Sequence, residues 1–384
     1  MKYRLFDFSS GEGELLVKGG IERVNDHSAA IEQVQSELKD GGWITSETDL
    51  NAVGFKTIMA EGLTGCLELT EQVVESMEKC NYVAPAHNPP YISGIRLFAE
   101  KMPETPLVGL FETAFYQWMP ESSRRYAVPK SWYDAGVRRW GFHGASHKFI
   151  AERSAEILGR EDVASRARNL YVDEAGTQVD GSMFRVVSCH LGGSSSVTGI
   201  LNGAAIGNSM GLSPQSGLPH NNRVGDLDSM AVLHMMRRDG LSVDEVEHAL
   251  CNESGLKGLS GKYNDIRDIQ SAADSGDANA RLALEVFVKS VRHWIGAYMV
   301  QLNGLDALVF TAGIGENRAE IRAEICANMD QIGIELDPSK NSSIQAEEAI
   351  ISSENSTVKV LVIPTNEELV VAREVKRFLE NKQN

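Results

Sequence analysis

Hydrophobic and polar positions along the chain predict strands and helices that follow one another, as in an α/β protein. Near the amino terminus, the runs KYRLFDF and ELLVKGG alternate like neighbouring antiparallel strands, with a bulge expected at Gly19-Gly20. Later runs such as RVVSCHL and ALVFTAG are apolar almost throughout, which is typical of strands buried on both faces. Helical spacing is longest from Asp277 to Leu302. Helices between buried strands predict a mixed sheet covered on both faces.

Three other segments carry weaker signals. We expect a helix from about Leu67 to Lys79. A loop is expected over APAHNPPYISG, residues 84–94, because its three prolines disfavour a helix or a central strand. The segment from Gly159 to Gly181 is polar and has no clear periodicity, so we expect a surface excursion there.

Composition limits the possible compartments and partners. At 384 residues, the chain is long for a single core and most naturally forms two domains. Its 53 acidic and 37 basic side chains give a net charge of -16, which argues against nucleic acid as a partner. The five cysteines are scattered and fit a reduced cytoplasm better than zinc or disulfides. With no signal peptide and no apolar run of about 20 residues, we expect a cytoplasmic protein without membrane partners.

Three glycine-rich segments, FHGASH, HLGGSSS and TAGIGEN, occupy residues 142–147, 190–196 and 311–317, and the last two directly follow strand-like runs. A turn with little side-chain bulk lets several backbone N–H groups converge on an anion, so this order predicts phosphate binding. Donor and charged side chains are interleaved with these segments: His143, His147, His190, Arg223, Asp265 and Arg267. Phosphoryl transfer is the predicted chemistry, because it needs such groups around an oxygen-rich transition state.

Simpler interpretations stay open for each group. A glycine-rich segment alone is usually a turn, and the spacing of TAGIGEN does not fit the dinucleotide-binding pattern G-x-G-x-x-G. His143 and His147 lie four residues apart and could bind a metal, although no third ligand is visible; His147 could equally make a structural hydrogen bond. Arg223 could be a surface cation, and Asp265 and Arg267 could form a local ion pair.

Longer stretches follow one another over nearly the whole chain: APAHNPP, FETAF, YAVP, RRWGFHGASHKFIAER, SCHLGGSSS, SMGLSP, NDIRD, VFTAGIGENRAEIR and VIPTNEELVVARE. In these stretches the sequence resembles the acetate/propionate kinase family of the actin-like ATPase superfamily. The resemblance implies an α/β fold of two ribonuclease-H-like domains around a cleft. Residues 1–114 with 368–384 would form one lobe, and residues 115–367 the other, with the nucleotide site and a dimer interface. The implied reaction is direct in-line transfer from ATP, with Mg²⁺, to acetate or propionate.

The resemblance also assigns roles to residues of this chain. Glu112, His143 and Arg223 match the family's catalytic groups, and Glu367 matches its magnesium-linked glutamate. The matching substrate positions are Lys56, Ile58, Ala86, Phe142 and Pro214. The matching nucleotide positions are Lys2, His190, Leu191, Gly192, Gly193, Ser194, Asp265, Ile266, Arg267, Gly313, Ile314, Gly315, Glu316 and Asn317. Without the resemblance, Glu112 could be a solvated strand end and Glu367 an acid at a helix N-terminus.

The chain departs from the family pattern at several positions. Lys56 stands where the family has an arginine, so the charge stays but the bidentate fork is lost, and weaker or altered substrate binding is expected. Glu112 replaces an aspartate, and Gly193 replaces an asparagine and lacks its side-chain donor. The family's first strand and N-x-G-S-S-S loop have no match, so we expect the protein to start upstream of Met1. These departures leave an alternative: a catalytically impaired nucleotide-binding protein of the same fold, acting through conformation or partner binding.

Overall fold

The computed structural model describes residues 1–11, 13–21, 27–85, 87–172 and 181–383. Its chain separates into two units. We call them the amino-terminal unit, Met1–Gln117 with Asn366–Asn384, and the central unit, Trp118–Thr365. Both contain β-sheets with helices packed against them.

Groups of strands and groups of helices follow one another along the described residues. In chain order, the strands are β1 (Lys2–Asp7), β2 (Glu14–Gly20), β3 (Val53–Thr57), β4 (Cys66–Glu68), β5 (Leu107–Phe111), β6 (Arg185–His190), β7 (Ser196–Leu201), β8 (Ala204–Asn208), β9 (Ala307–Thr311), β10 (Ala349–Ile350) and β11 (Lys359–Val362). The α-helices are α1 (His27–Asp40), α2 (Glu71–Glu78), α3 (Asn88–Lys101), α4 (Glu121–Arg124), α5 (Lys130–Asp134), α6 (Gly144–Ile157), α7 (Glu161–Asn169), α8 (Ser229–Asp239), α9 (Val243–His248), α10 (Gly255–Ser260), α11 (Ile266–Asp274), α12 (Ala278–Gln301), α13 (Ala312–Asn317), α14 (Ala319–Cys326), α15 (Pro338–Ser343) and α16 (Glu367–Gln383).

In the amino-terminal unit, β1 and β2 pair antiparallel, and a second sheet has the order β3-β5-β4. In this second sheet, β3 is parallel and β4 antiparallel to β5. Helix α16 packs against all three strands. Gly54 allows the close approach, because a Cβ there would lie 3.1 Å from Val375 Cγ2 and 3.2 Å from Val371 Cγ1. The packing therefore fixes where α16 begins relative to the strands of this sheet.

In the central unit, a mixed sheet has the order β10-β11-β9-β6-β7-β8. Strand β9 is parallel to both β6 and β11, and the remaining pairs are antiparallel. All of β9 is buried, as is β6 after Arg185. Helix α12 contributes a buried face, with i, i+3, i+4 spacing between Ala280 and Tyr298, to the core that includes these strands. The core thus holds β6 and β9 rigidly side by side.

The structure corrects the expected boundaries near the amino terminus. Gly19-Gly20 pair regularly with the first residues of β1, and the register shift lies between Leu5 and Phe6. The bulge was therefore expected at the wrong position. The predicted helix from Leu67 begins only at Glu71, because residues 66–68 pair with β5 as β4.

The prediction of a proline-rich loop is wrong from Asn88 onward, where α3 begins. Pro89 and Pro90 occupy the first turn of this helix. An N–H in the first turn has no partner within the helix, so a missing N–H costs little there. Residue 86 lies outside the described residues.

The predicted surface excursion is wrong over Glu161–Asn169, which forms α7 and buries Val163, Ala164 and Ala167 along one face. Residues 173–180 of the predicted excursion lie outside the described residues. TAGIGEN is not an open loop either, because the chain enters α13 directly after β9. None of the described helices is long and apolar enough to cross a bilayer.

Candidate active site

The ends of β6 and β9 place two glycine-rich segments next to each other. Because these strands are parallel and in register, the residues after His190 and Thr311 leave the same edge of the sheet. The Leu191 N–H donates to the Thr311 carbonyl at 2.9 Å. The Leu191 carbonyl accepts from the N–H groups of Ile314 and Gly315 at 2.7 and 3.1 Å. Backbone hydrogen bonds therefore tie the HLGGSSS segment to α13.

The FHGASH segment meets the same sheet edge through its side chains. His143 has left-handed backbone geometry, with φ of 58°, immediately before α6. Its ring stacks on that of His190, with the ring centroids 4.0 Å apart. His190 Nδ1 lies 2.8 Å from Ser146 Oγ, which lies 3.0 Å from Thr365 Oγ1. The three glycine-rich segments are thus brought together within the central unit.

A hydrogen-bonded chain of histidines and serines orients His143. Ser196 Oγ lies 2.8 Å from both His143 Nδ1 and His147 Nε2, and Ser188 Oγ lies 2.8 Å from His147 Nδ1. Burial holds the pKa of the His147 imidazole well below its usual value, and the neighbouring His190 lowers it further. His147 is therefore neutral at neutral pH, and both its ring nitrogens bond to hydroxyls. This arrangement supports the interpretation of His147 as a structural hydrogen-bonding residue.

Arg223 is held inside the central unit beside a predicted substrate residue. Its side chain is buried, and Nη1 donates to the Pro214 carbonyl at 2.9 Å. The Arg223 carbonyl accepts the His220 N–H at 3.0 Å, and His220 Nδ1 accepts the Ser195 N–H at 2.9 Å. Burial lowers the pKa of the Arg223 guanidinium, but an arginine keeps its charge at neutral pH. These contacts exclude an exposed surface cation and connect Arg223 to the HLGGSSS segment.

Asn221 is a residue next to this segment that the sequence analysis missed. Its N–H donates to the Gly193 carbonyl at 3.1 Å. A Cβ on Gly193 would lie 3.1 Å from Asn221 Nδ2. A side-chain amide therefore stands beside the position where the family has an asparagine. The polar run HNNR, in which only the arginine was considered, is the signal that could have identified it.

Asp265 and Arg267 bond to each other at the start of α11. Asp265 Oδ1 accepts the Arg267 N–H at 2.9 Å, and the guanidinium donates to both carboxylate oxygens at 2.9 and 2.6 Å. These bonds lower the pKa of the Asp265 carboxyl to about 2. The local ion pair considered from the sequence is present, and a nucleotide contact of Asp265, Ile266 and Arg267 stays a prediction.

Arg322 bonds to carbonyl groups of α13. The sequence did not lead us to predict this residue. Its side chain is fully buried, and Nη1 donates to the carbonyls of Gly315 and Glu316 at 2.8 and 3.0 Å. The Glu316 carboxylate accepts the N–H groups of Ala312 and Thr365 at 2.7 and 3.2 Å. The TAGIGEN segment is therefore fixed through both its backbone and its acidic side chain. An arginine on the buried face of α14 was the available signal.

In the amino-terminal unit, three charged side chains form what we call the Lys56 cluster: Lys56, Glu112 and Glu367. Lys56 lies in β3, Glu112 directly follows β5, and Glu367 begins α16. The Lys56 ammonium lies 3.2 Å from Glu112 Oε1 and donates to Glu367 Oε2. Burial alone lowers the pKa of Lys56, but the two carboxylates together raise it above its usual value. The cluster therefore contains an ammonium ion between two carboxylates.

Burial distinguishes the interpretations of the two acids. The Glu112 side chain is 4% exposed, which excludes a solvated strand end, and that of Glu367 is 12% exposed. Glu367 is also the first residue of α16, where a negative charge is favourable, so it is an acid at a helix N-terminus, and its magnesium role stays a prediction.

The two carboxylates have the chemistry that Mg²⁺ prefers, since this ion binds carboxylate and phosphate oxygens. Among the described residues, no three His, Cys, Asp or Glu side chains are grouped as a ready metal site. Glu112 and Glu367 fit as partial ligands, and ATP phosphates and water would complete the shell.

The other predicted residues divide between the units. Lys2 lies in β1 and Ile58 follows β3 in the amino-terminal unit. Phe142 is buried in the central unit, where its carbonyl accepts from Asn208 Nδ2 at 3.2 Å. The remaining nucleotide positions lie in the two tied segments: Gly192, Ser194, Gly313 and Asn317. Ala86 is outside the described residues.

Comparisons with known proteins identify a family and several relatives. A model of the "Acetokinase family" matches residues 17–373. The acetate kinase of Carboxydothermus hydrogenoformans is 38% identical over 409 residues, covering 100% of this chain and 97% of that protein. The Porphyromonas gingivalis acetate kinase structure has a TM-score of 0.79 at 33% identity and covers 97% of this chain and 88% of its own. A Francisella tularensis propionate kinase structure also has a TM-score of 0.79 at 33% identity, covering 93% and 86%.

The α/β fold, shared with solved acetate and propionate kinases of the actin-like ATPase superfamily, and the relatives named acetate kinase assign the chain to the phosphotransferases. Its family follows from the match over most of the chain. The chain belongs to the acetokinase family. The family, the fold class and the enzyme class expected from the sequence are thereby confirmed.

Proposed function

We propose that the protein is a short-chain carboxylate kinase, which transfers the γ-phosphoryl group of ATP directly to acetate or propionate and yields ADP and an acyl phosphate. The observation that carries the proposal is the backbone tie between HLGGSSS and α13 at Leu191. This tie holds two segments rich in N–H groups at one sheet edge, where a polyphosphate needs converging donors. Relatives named acetate kinase and propionate kinase support the reaction and give no support to an impaired protein.

Alignment and charge compensation are the main tasks of the protein in this reaction. His143, oriented by the bond from Nδ1 to Ser196, would donate to the moving phosphoryl group. Arg223 would add positive charge there, and its bond to Pro214 fixes the guanidinium. The HLGGSSS segment would bind the β and γ phosphates, and Asn221 would supply the amide that Gly193 lacks. The α13 segment and the start of α11 would contact the nucleoside side.

The amino-terminal unit would contribute charged and apolar groups. Lys56 would bind the substrate carboxylate, and Glu367 with Glu112 would hold Mg²⁺. When bound, this ion compensates charge on the phosphate oxygens. Ile58 keeps its predicted role in acyl binding, as do Phe142 and Pro214 in the central unit.

Several further inferences belong to the same proposal. We infer a homodimer that works in the cytoplasm and whose subunits each have two lobes. Lys2 keeps its predicted nucleotide role. Size-exclusion chromatography with light scattering tests the dimer, for which a monomer at all concentrations would be the contrary result.

An assay that couples ADP formation to NADH oxidation tests the reaction with acetate, propionate and butyrate. We expect turnover with at least one acid, and formation of an acyl phosphate that hydroxylamine traps. His143→Ala should lower kcat by about 100-fold, as for other donors to a developing negative charge. The matched control is His248→Ala, because His248 is largely exposed and its Nε2 makes a surface contact, at 3.6 Å, with Glu253 Oε1. Absence of ADP formation with all three acids would contradict the proposal.

A further inference from the structure

In the Lys56 cluster, the lysine ammonium lies between the two carboxylates that would bind the proposed metal. The ammonium touches both carboxylates that would hold Mg²⁺, at 3.2 Å from Glu112 Oε1 and within bonding distance of Glu367 Oε2. Two carboxylates so close repel each other unless a positive charge lies between them. Lys56 therefore supplies, in the metal-free protein, the charge compensation that a divalent ion would otherwise provide.

The backbones of the two acids are fixed by the fold, whereas the ammonium is at the end of a longer flexible side chain. The Glu112 N–H donates to the Thr57 carbonyl at 2.8 Å, which joins the ends of β5 and β3. Glu367 is held at the start of α16, which packs on the same strands. Lysine has a four-carbon stem with rotatable bonds, and 34% of the Lys56 side chain is exposed. The backbones that carry the two acids therefore stay in place when the lysine side chain moves out.

We propose that Lys56 is an exchangeable internal cation: Mg²⁺ binds between Glu112 and Glu367 by displacing the ammonium, and the released lysine then becomes available to the substrate carboxylate. This inference rests on the proposed function for the identity of the substrate. No covalent bond is made or broken, because the hydrogen bonds of the ammonium to the two carboxylates are exchanged for coordination of Mg²⁺ by the same oxygens. The metal and the carboxylate are thereby coupled through a single side chain, and Mg²⁺ binding favours substrate binding.

Substitution of Lys56 tests the exchange with MgCl₂ alone. In Lys56→Met, the two acids lose their cation, so the melting temperature should fall in metal-free buffer and be restored by MgCl₂. Calorimetric titration should show Mg²⁺ binding about tenfold or more tighter than in the wild type, because the competing ion is gone. The control is Lys79→Met, since Lys79 pairs with Glu61 at 3.1 Å on the surface. Equal Mg²⁺ affinity in Lys56→Met and the wild type would overturn the proposal.

A measurement on the wild-type protein tests the displacement of Lys56 even if Lys56→Met does not fold. Reductive methylation of lysines, read by peptide mass spectrometry, should become several-fold faster at Lys56 when MgCl₂ is added and stay constant at Lys79. Unchanged labelling of Lys56 at a saturating metal concentration would refute the displacement. Both readouts omit ATP and carboxylate. Failure of the kinase assay would therefore leave the exchange standing, and failure of the exchange would leave the kinase reaction standing.

Discussion

Replacing Arg322 by methionine tests how the TAGIGEN segment, which forms α13, is held. The buried guanidinium donates five hydrogen bonds, which connect α13 with the region of α15. Two go to the carbonyls of Gly315 and Glu316, two to the side chain and carbonyl of Asn341 at 2.8 Å, and one to the Ile344 carbonyl at 3.2 Å. Methionine keeps most of the apolar stem and donates to none of them.

The expected loss of stability follows from these contacts. A buried acceptor left without its donor costs about 1–3 kcal/mol, so the five acceptors that lose Arg322 lead us to expect a net loss of about 3–5 kcal/mol after the desolvation of the guanidinium is offset. Burial lowers the pKa of Arg322, which indicates that desolvation offsets part of its bonding. For a unit of this size, each kcal/mol shifts the melting temperature by roughly 2–4 °C, so a decrease of about 6–20 °C is expected for the central unit.

Calorimetry and circular dichroism measure this shift, and the KM for ATP reports the segment itself. We expect the KM to rise, because Gly315 and Glu316 are no longer fixed from the carbonyl side. Arg281→Met is the matched control: Arg281 is 43% exposed and makes one bond, at 3.2 Å, to Glu324. It should change stability by at most about 0.5 kcal/mol. If Arg322→Met melted like this control, the support assigned to Arg322 would be wrong.

Three shorter predictions concern buried groups. Because burial lowers the pKa of His147 in the folded protein, unfolding in acid takes up a proton. The contribution of this residue to the free energy of unfolding is therefore complete above a pH of about 6.5 and is lost as the pH falls below that value. His147→Gln should flatten this part of the pH dependence measured by urea unfolding. Ser196→Ala removes the hydroxyl shared by His143 and His147 and should lower kcat by about tenfold or more with a changed pH profile, which steady-state kinetics would show. Burial raises the pKa of the Cys189 thiol, and that of Cys326 to about 12, so both should react with a thiol reagent only on unfolding; rapid reaction in the folded protein would contradict this.

Strands were predictable where their hydrophobic pattern was continuous. β6 and β9 are buried almost throughout, and the sequence shows this directly as runs of apolar residues. Pro89 and Pro90 misled the prediction because composition does not tell the first turn of a helix from a loop. Helix α7 was missed because its buried face consists of small residues, which give a weak hydrophobic signal among many charges.

Contacts between distant residues were not predictable in the same way. The resemblance predicted Lys56, Glu112 and Glu367 one by one as site residues. Their mutual pairing depends on the register of β3 with β5 and on the packing of α16, which no local pattern encodes. Asn221 and Arg322 were missed because each acts on the backbone of another segment.

The two units balance buried charge differently, and this difference predicts that Mg²⁺ binds before the carboxylate substrate. In the central unit, neutral His147 and hydroxyl groups surround His143, so an anionic phosphate meets donors without a competing negative charge. The Lys56 cluster has one positive and two negative groups, so in the metal-free protein it repels a carboxylate despite its lysine. A divalent ion reverses that balance. The KM for the carboxylate should therefore fall as free Mg²⁺ rises at constant Mg²⁺-ATP, whereas Lys56→Met should lose this dependence.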